Sequence, residues 1–513
     1  MHQAGTIHEQ GRPAAFTSPS PTVVVIGGGL AGIAASVTLA KAGLSVTLVE
    51  TRKHLGGRAT SFIDPATGMV VDNCQHVLMG CCTNLRHLYG QLGVADRIRW
   101  HRRLYFAGFD RAGEPLIDTL EADDLPAPLH LTTSLMRFGL LSATEKAAIA
   151  RGMVAMIRLG PGDRANWHDR SFAQWLAEHG QPRGAVDRFW SVVIISALNE
   201  QPQRVAADLA IQVFQEAFLS HEDAYVMGLP TVPLVQLYDA AEKVLQEAGG
   251  RLRLSTGAEA FDFGNGQVES LRVTGDRRVS ADAFISAVPF DRLVKLCPTP
   301  LRTADVRLAK LDRFEVSPIL GIHLWFAAEP DRPVMDLPHL ILTDSPLQWI
   351  FNKGQQPAEA CDWLLPRSTS RQKHFEDVHH LHGVISAAHD LVNLPGDRIQ
   401  ALALAEVRRF LPGAADAILI HAQVIKEKRA TFSAGPGVDA IRPPTRGTVS
   451  NLYLAGDFCR SGWPATMEGA VRSGYQAAAA VLEDTQPEEV ARQEPDLPPR
   501  GLYRALARRG SSH

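Results

Sequence analysis

The chain has 513 residues, a mass of 55.8 kDa and a net charge of −3 from 52 basic and 55 acidic side chains. At about 150 residues per domain this is enough for two large or three smaller domains. Apolar residues at 45% and charged ones at 21% exclude disordered, collagenous and coiled-coil classes, and the even charge balance excludes an electrostatically recruited nucleic-acid partner.

Residues 1–21 are polar and rich in Pro, Ser and Gly, and read as a disordered lead-in. Thr22–Ala40 is an uncharged stretch of 19 residues that a hydropathy window would flag as a membrane span. Three consecutive glycines divide it instead into a strand (Val23–Ile26), a turn and a helix rich in small residues (Leu30–Ala42). With the next strand, Leu44–Glu50, this makes a βαβ unit. From about Leu104 to Leu219 the pattern is helical and strongly apolar, with Ser171 placed to cap one helix. Strand patterns return at Leu252–Leu254, Ala258–Phe263, Val268–Val273 and Ala281–Val288, with Gly264-Asn265-Gly266 as a hairpin turn. Ile319–Ala327, Leu347–Asn352 and Gly383–Ala387 read as further strands. A helix ends at Leu411, before Pro412-Gly413. The strand Asn451–Leu454 leads into a last helix from Met467 to Glu483, and the Pro/Glu-rich residues 486–499 read as a linker.

Gly27, Gly29 and Gly32 satisfy GxGxxG between a strand and a helix. Gly27 permits the tight turn, Gly29 lets a diphosphate approach the backbone, and Gly32 lets helix and strand pack closely. Leu30 and Ala31 open the helix whose free amides face the diphosphate. Glu50 ends the second strand, where a carboxylate can accept the ribose hydroxyls of an adenosine, with Thr51 and Arg52 beside it. Dinucleotide binding follows from these residues in register.

The segment ETRKHLGGRATSF, with Gly56, Gly57 and Arg58, resembles the extension that follows this motif in the flavin-containing amine oxidase and phytoene desaturase superfamily. LYLAGDFCRSGWPATMEGAVRSG, near the other terminus, resembles that superfamily's closing flavin motif. The resemblance implies FAD as cofactor, with Arg58 neutralising the diphosphate, Gly57 passing close to the flavin and Gly456-Asp457 contacting its ribityl–diphosphate end. It places Met467, Glu468 and Ala470 at a helix start facing the flavin, and Ala258 on the strand flanking the adenine. Flavin motifs at both ends imply a discontinuous Rossmann-like α/β FAD-binding domain (22–103, 245–300 and 445–485). An α+β substrate domain (104–244 and 301–444), with a mixed sheet and a helical subdomain, would be interleaved with it, and 486–513 would form a tail.

Four blocks narrow the resemblance: Asp72-Asn73-Cys74-Gln75-His76-Val77-Leu78-Met79-Gly80, Ser317-Pro318-Ile319 with His323-Leu324-Trp325-Phe326, Gln348-Trp349-Ile350-Phe351, and Gly462-Trp463-Pro464-Ala465-Thr466. Together they are similar to the hydroxysqualene dehydroxylase family, over most of residues 22–483. Cys74 stands where that family leads one to expect glycine, and Cys459 and Arg460 also depart from its pattern. The resemblance implies reductive removal of an allylic hydroxyl from a C30 isoprenoid, giving squalene in hopanoid biosynthesis. Loss of hydroxide leaves a delocalised cation that reduced flavin N5 can quench with hydride, provided water is excluded and the leaving oxygen is protonated. The apolar stretch 104–219 has the composition to line a tunnel for such a substrate.

Candidates for the proton donor are His76, which titrates near neutrality, and Asp72; Asn199, after an apolar helix, could bond the substrate hydroxyl. Each has an ordinary structural alternative: a buried histidine, a carboxylate bonding backbone amides, a helix cap. His374, His379, His380, His382 and His389 cluster without any metal-ligand register, so no metal is expected. Six cysteines (Cys74, Cys81, Cys82, Cys297, Cys361, Cys459) lack CxxC spacing and suit a reducing, cytoplasmic compartment.

So apolar a substrate resides in a bilayer, so peripheral contact with the inner face of the cytoplasmic membrane is expected. The tail places Leu502, Tyr503 and Leu506 among arginines, as a short interfacial helix would. The electron donor that recharges the flavin is not legible. The competing readings are a carotenoid-type desaturase or isomerase with hydride flowing the other way, and a non-catalytic prenyl-binding chaperone of the GDP dissociation inhibitor kind.

Overall fold

The computed structural model describes residues 20–110, 112–327, 333–354, 378–486, 488 and 493–507. The expected lead-in lies almost wholly outside them, as do Cys361 and His374.

A five-stranded parallel sheet runs in the order Arg251–Arg253, Ser45–Val49, Thr22–Ile26, Ala283–Ser286, Leu452–Leu454. Strands far apart in sequence are thus hydrogen-bonded neighbours: Val25 faces Leu48 on one side and Ile285 on the other, and Ile285 faces Tyr453. The strands are buried β-branched runs, as a sheet covered on both faces demands. The helices Leu30–Lys41 and Met467–Thr485 pack side by side against one another, and Gly474 permits it: a Cβ there would lie 2.3 Å from the Ala31 carbonyl oxygen. The uncharged stretch Thr22–Ala40 therefore spans strand, turn and helix, and no helix among the described residues is long and apolar enough to cross a membrane.

A seven-stranded mixed sheet forms the second layer, ordered Ile418–Phe432, Val316–Ala327, Val378–Ser386, Trp349–Asn352, His339–Leu342, Leu104–Phe109, Pro115–Leu120. Its long strand Val316–Ala327 alternates. Leu320, Ile322, Leu324 and Phe326 join the apolar core under the helix Gly396–Phe410, while Gly321 and His323 face the Asp72–Asn73 segment. The α/β class with discontinuous Rossmann-like sheet and mixed second sheet agrees with the sequence reading.

The helical region 104–219 needs correction at its start. Leu104–Phe109 and Pro115–Leu120 form a hairpin that extends the second sheet. The helices begin only at Leu129, and Ser171 caps Phe172–Glu178 by accepting from the Gln174 amide. The 15-residue strand Ile418–Phe432 also escaped sequence reading, because the charged run Lys426-Glu427-Lys428-Arg429 interrupts its apolar pattern. The hairpin at Asn265-Gly266 formed as expected, both residues having positive φ (51° and 79°), which a two-residue turn of this twist requires.

The tail is partly packed against the protein. Gly501–Leu506 is helical, but Tyr503 is buried against the protein, its amide donating to the Ala127 carbonyl, while Leu502 and Leu506 stay exposed. Glu494 and Asp496 bond Asn84 and Arg472. The tail packs along the body through Tyr503, Glu494 and Asp496, while Leu502 and Leu506 remain exposed beside them.

Candidate functional site

The site begins at the first strand's end. Gly27 turns at φ 102°, its amide donating to the Val49 carbonyl, and the chain enters the helix at Leu30. A Cβ on Gly32 would lie 1.9 Å from the Gly27 carbonyl oxygen, so only glycine lets helix and strand meet. The amides of Leu30, Ala31 and Gly32 have no intrahelical acceptor, being in the first turn, and the helix dipole adds positive character there. Glu50 is buried. Its carboxylate accepts from the Gly28 amide at 2.6 Å and the Arg52 amide at 2.8 Å, which fixes it at the rim of the cradle. Thr51 is exposed beside it, and Arg52 reaches forward to the Gly57 carbonyl at 2.6 Å.

The second glycine turn lies directly on the first. Gly56 donates to the Gly28 carbonyl, and Gly57 carries φ 62° with the Gly29 Cα close against it. A Cβ on Gly57 would sit 3.0 Å from that atom. Two backbones stripped of side chains thus form a groove that a diphosphate and an isoalloxazine edge fit. Arg58 crosses to the closing motif: one guanidinium nitrogen donates to Asp457 at 2.5 Å and another to the Ala430 carbonyl at 2.7 Å. Gly456 turns at φ 139° and donates to Ser473. Ala258 opens a strand of a separate three-stranded antiparallel sheet, next to Gly257, where a Cβ would lie 2.9 Å from the Thr274 hydroxyl.

The last helix starts after Thr466, whose hydroxyl caps it by accepting from the Gly469 amide. Met467 and Ala470 lie in its first turn. The side chain of Glu468 turns away from this helix start. The carboxylate is fully buried and accepts from the Asn84 and Leu85 amides, the Asn84 side chain and Arg472. It caps the helix Thr83–Gln91, leaving only its own amide for a flavin.

The Asp72–Gly80 block runs from this cradle into the join with the second sheet. The Asn73 side chain donates to the Arg58 carbonyl at 2.8 Å and to Glu427 at 3.1 Å. Cys74 is buried and keeps negative φ, so the turn manages without glycine; burial pushes its thiol up to about 12, leaving it unreactive. Asp72 is buried and surrounded by donors: Ser61, the Leu234 amide and Lys353 Nζ at 3.2 Å. It acts as an acceptor that ties three elements together.

His76 is held by Nδ1 against the Cys74 carbonyl at 3.0 Å, and burial lowers its pKa below the usual imidazole range. A carbonyl can only accept, so Nδ1 carries the hydrogen and the neutral ring presents an Nε2 lone pair. That corrects His76 as a proton donor: at neutral pH its free nitrogen is an acceptor. Asn199 is corrected too. It adopts the left-handed conformation that ends the helix Ser191–Leu198. Both amide hydrogens go to the Ser317 carbonyl and Thr431, and its oxygen accepts from Ala387. It is a post between strands, as a helix cap would be.

Three groups were missed in the sequence. Lys353, buried at the end of the strand Trp349–Asn352, bonds Asp72 and Gln75. Glu427 approaches Asn73 from the long strand. Arg442 is buried and donates to the Cys459 and Trp463 carbonyls, each at 2.6 Å, shaping the loop before the last helix. Lys353 and Arg442 each stand beside an apolar run, and Glu427 lies within the charged run Lys426–Arg429, so none carried a motif. The histidines sort differently: His323 donates from Nε2 to the Asp72 carbonyl and stacks on His382 at 3.9 Å, while Trp325 stacks on His380 at 4.4 Å. Burial lowers His323 to about 4. Among the described residues no group of three or more His, Cys, Asp or Glu has metal-binding geometry.

A twin-glycine diphosphate groove, an acidic strand end and a guanidinium locked to the closing Asp define a dinucleotide-dependent oxidoreductase of the flavin type. The chain matches the flavin containing amine oxidoreductase family over residues 30–482 and belongs to it; its cofactor is FAD. It is 26% identical over 474 residues to 15-cis-phytoene desaturase of Synechococcus elongatus, covering 90% of this chain and 95% of that one. It is likewise 26% identical over 498 residues to zeta-carotene desaturase of Synechocystis, covering 90% and 97%. Solved structures share the fold. An oxidoreductase from Methanosarcina mazei superposes with TM-score 0.66 at 18% identity, covering 90% of this chain and 100% of the other. A redesigned putrescine oxidase superposes with TM-score 0.65 at 19% identity, covering 91% and 99%.

Proposed function

We propose that this FAD-dependent oxidoreductase removes the allylic hydroxyl of hydroxysqualene reductively to give squalene. The observation that carries the reading is the apolar mass where the two layers meet. Cys74 of the signature block joins one continuous core with Phe106, Phe138, Trp190 and Val384, and Ile319 and Trp349 pack on it. The helical region supplies much of this core, and a long isoprenoid needs such walls. FAD, once reduced, supplies the hydride. The chain's own residues orient the substrate, exclude water, and must deliver one proton to the departing oxygen.

The second reading, a carotenoid-type desaturase, is favoured by the two relatives named above, whose names declare dehydrogenation of polyenes. Both readings share a bilayer-borne isoprenoid and peripheral membrane contact. Anaerobic enzyme, reduced and given hydroxysqualene, should yield squalene and oxidised flavin. No squalene, with flavin reduction by phytoene instead, would overturn the first reading in favour of the second. A preparation that binds isoprenoids without flavin turnover would favour the carrier reading.

A further inference from the structure

Deciding the proton's source requires a group at the cleft wall that carries a proton to give. A cleft opens between the second sheet and the short sheet containing Met227–Pro230, lined by Gln75, Arg99, Leu229, Pro230, Phe351 and Lys353. Lys353 is the buried cation among these, with its side chain 6% exposed and that of its partner Asp72 4% exposed. Its backbone is pinned, the amide donating to the His380 carbonyl at 2.8 Å, and the preceding Asn352 side chain donates to the Met335 carbonyl at 2.7 Å. An ammonium has three N–H bonds. Asp72 at 3.2 Å and Gln75 at 2.8 Å take two of them. The third has no acceptor among the described residues, and the side chain lines the cleft.

The pair is also coupled to the flavin cradle. Gln75 lies two residues from Asn73, which bonds the Arg58 carbonyl at 2.8 Å, and Arg58 bonds Asp457. The other groups at this join are poorer donors: His76 spends its Nδ1 hydrogen on the Cys74 carbonyl, Asp72 is ringed by donors, and burial pushes the Cys74 thiol up to about 12, so it gives up its proton reluctantly.

We propose that the Lys353 ammonium hydrogen-bonds the allylic hydroxyl of the substrate and protonates it as it leaves, an assignment that rests on the dehydroxylase reading. The carbon–oxygen bond breaks with its electron pair on oxygen. One Lys353 proton completes water, leaving the amine bonded to Asp72 and Gln75. Reduced FAD, when bound, would supply the hydride that the carbon needs, and a solvent proton restores the ammonium. Alcohol and dihydroflavin become hydrocarbon, water and oxidised flavin.

Two measurements on FAD-loaded enzyme test this. The first is equilibrium binding to oxidised enzyme, where nothing turns over, read by tryptophan fluorescence with hydroxysqualene or squalene in detergent micelles. Wild type should prefer the alcohol by about tenfold, the worth of one hydrogen bond to a charged donor. Lys353→Met should abolish that preference and Lys353→Arg retain part of it. The second is single turnover of anaerobically reduced enzyme. Lys353→Met should slow reaction of the alcohol by about 10²–10⁴-fold, the usual worth of a general acid. It should slow the corresponding acetate ester, whose leaving group needs no proton, far less.

The double variant Lys353→Met with Asp72→Asn replaces the ion pair by neutral groups and should behave as the single variant does, which covers the case where an unpaired Asp72 prevents folding. Equal loss of alcohol and ester, or an unchanged alcohol preference and rate, would overturn the assignment of Lys353 while leaving the dehydroxylase reading intact. Wild type that never converts the alcohol would overturn both.

Discussion

Gly32→Ala is the sharpest test of the cradle, because the obstacle it meets is backbone. The new Cβ would lie 1.9 Å from the Gly27 carbonyl oxygen and 3.3 Å from the Ala287 side chain. A carbon–oxygen contact needs about 3.3 Å, so the helix must retreat by about 1.4 Å. Behind it stands the last helix, where Gly474 already allows the closest approach to Ala31. The retreat therefore disturbs two layers, and overpacking of this kind costs about 3 kcal/mol. It also draws the amides of Leu30 and Ala31 away from the diphosphate, and a misplacement of about 1 Å costs about 100-fold. FAD content measured from the ratio of flavin to protein absorbance, with Kd by fluorescence titration, should show that loss. Gly90→Ala serves as the control: it lies in the helix Thr83–Gln91 with nothing within 4 Å of the new atom. It should raise stability by about 0.5–1 kcal/mol and leave FAD binding alone. Full FAD stoichiometry in Gly32→Ala, with Kd within a few-fold of wild type, would refute the reasoning.

Glu468→Ala should lower stability by about 3 kcal/mol, since it strips the buried Arg472 of one carboxylate and uncaps the helix at Asn84; a thermal melt checks it, and an altered flavin spectrum at unchanged Tm would count against the assignment. Deleting residues 493–513 removes Tyr503 and the contacts of Glu494 and Asp496, so urea denaturation should shift to lower concentration; unchanged stability with lost vesicle binding would favour an interfacial tail. His323 is kept neutral by burial, its pKa falling from 6.5 to about 4. Above pH 6.5 neither state binds the proton. Below it the unfolded chain does and the folded one does not, so stability should fall between pH 6.5 and 4, by about 3 kcal/mol for this residue. Urea titrations at pH 7 and pH 5 should show a smaller loss in His323→Gln, and an identical loss would exclude His323 as a source.

The cradle was legible because its chemistry is backbone chemistry. Gly27, Gly29 and Gly32 sit at fixed spacing in an otherwise apolar run, and the turn, close approach and helix packing each demand a missing Cβ. The same is true of Asn265-Gly266. What escaped was whatever depends on partners distant in sequence. Leu104–Phe109 carries no signal that its neighbour will be His339–Leu342, more than 200 residues on, and its apolar pattern suits a helix equally. Glu468 was placed on the right helix, yet the direction of its side chain is set by Asn84 and Leu85. Lys353 read as one lysine after an apolar strand; only Asp72 and Gln75, nearly 280 residues earlier, give it a role.

That division bears on how one fold serves opposite reactions. Flavin chemistry is reversible in principle: hydride can leave a carbon for the oxidised ring or reach a cation from the reduced one. The glycine grooves, Glu50 and the Arg58–Asp457 lock would be indifferent to the direction, since they are placed to hold the diphosphate and ribityl end of the FAD. Direction must come from what meets the substrate. Desaturation removes a hydride and then a proton, so its cleft needs an acceptor. Dehydroxylation expels water, so its cleft needs a hydrogen-bond donor that can give up a proton. An ammonium braced by Asp72 and Gln75 at the cleft wall would meet the second requirement, whereas an imidazole such as His76, which burial keeps toward the neutral form, would suit the first. Both lie within one short block and its partner strand, so a few side chains at this join, rather than the cofactor or the architecture around it, would determine which way electrons move.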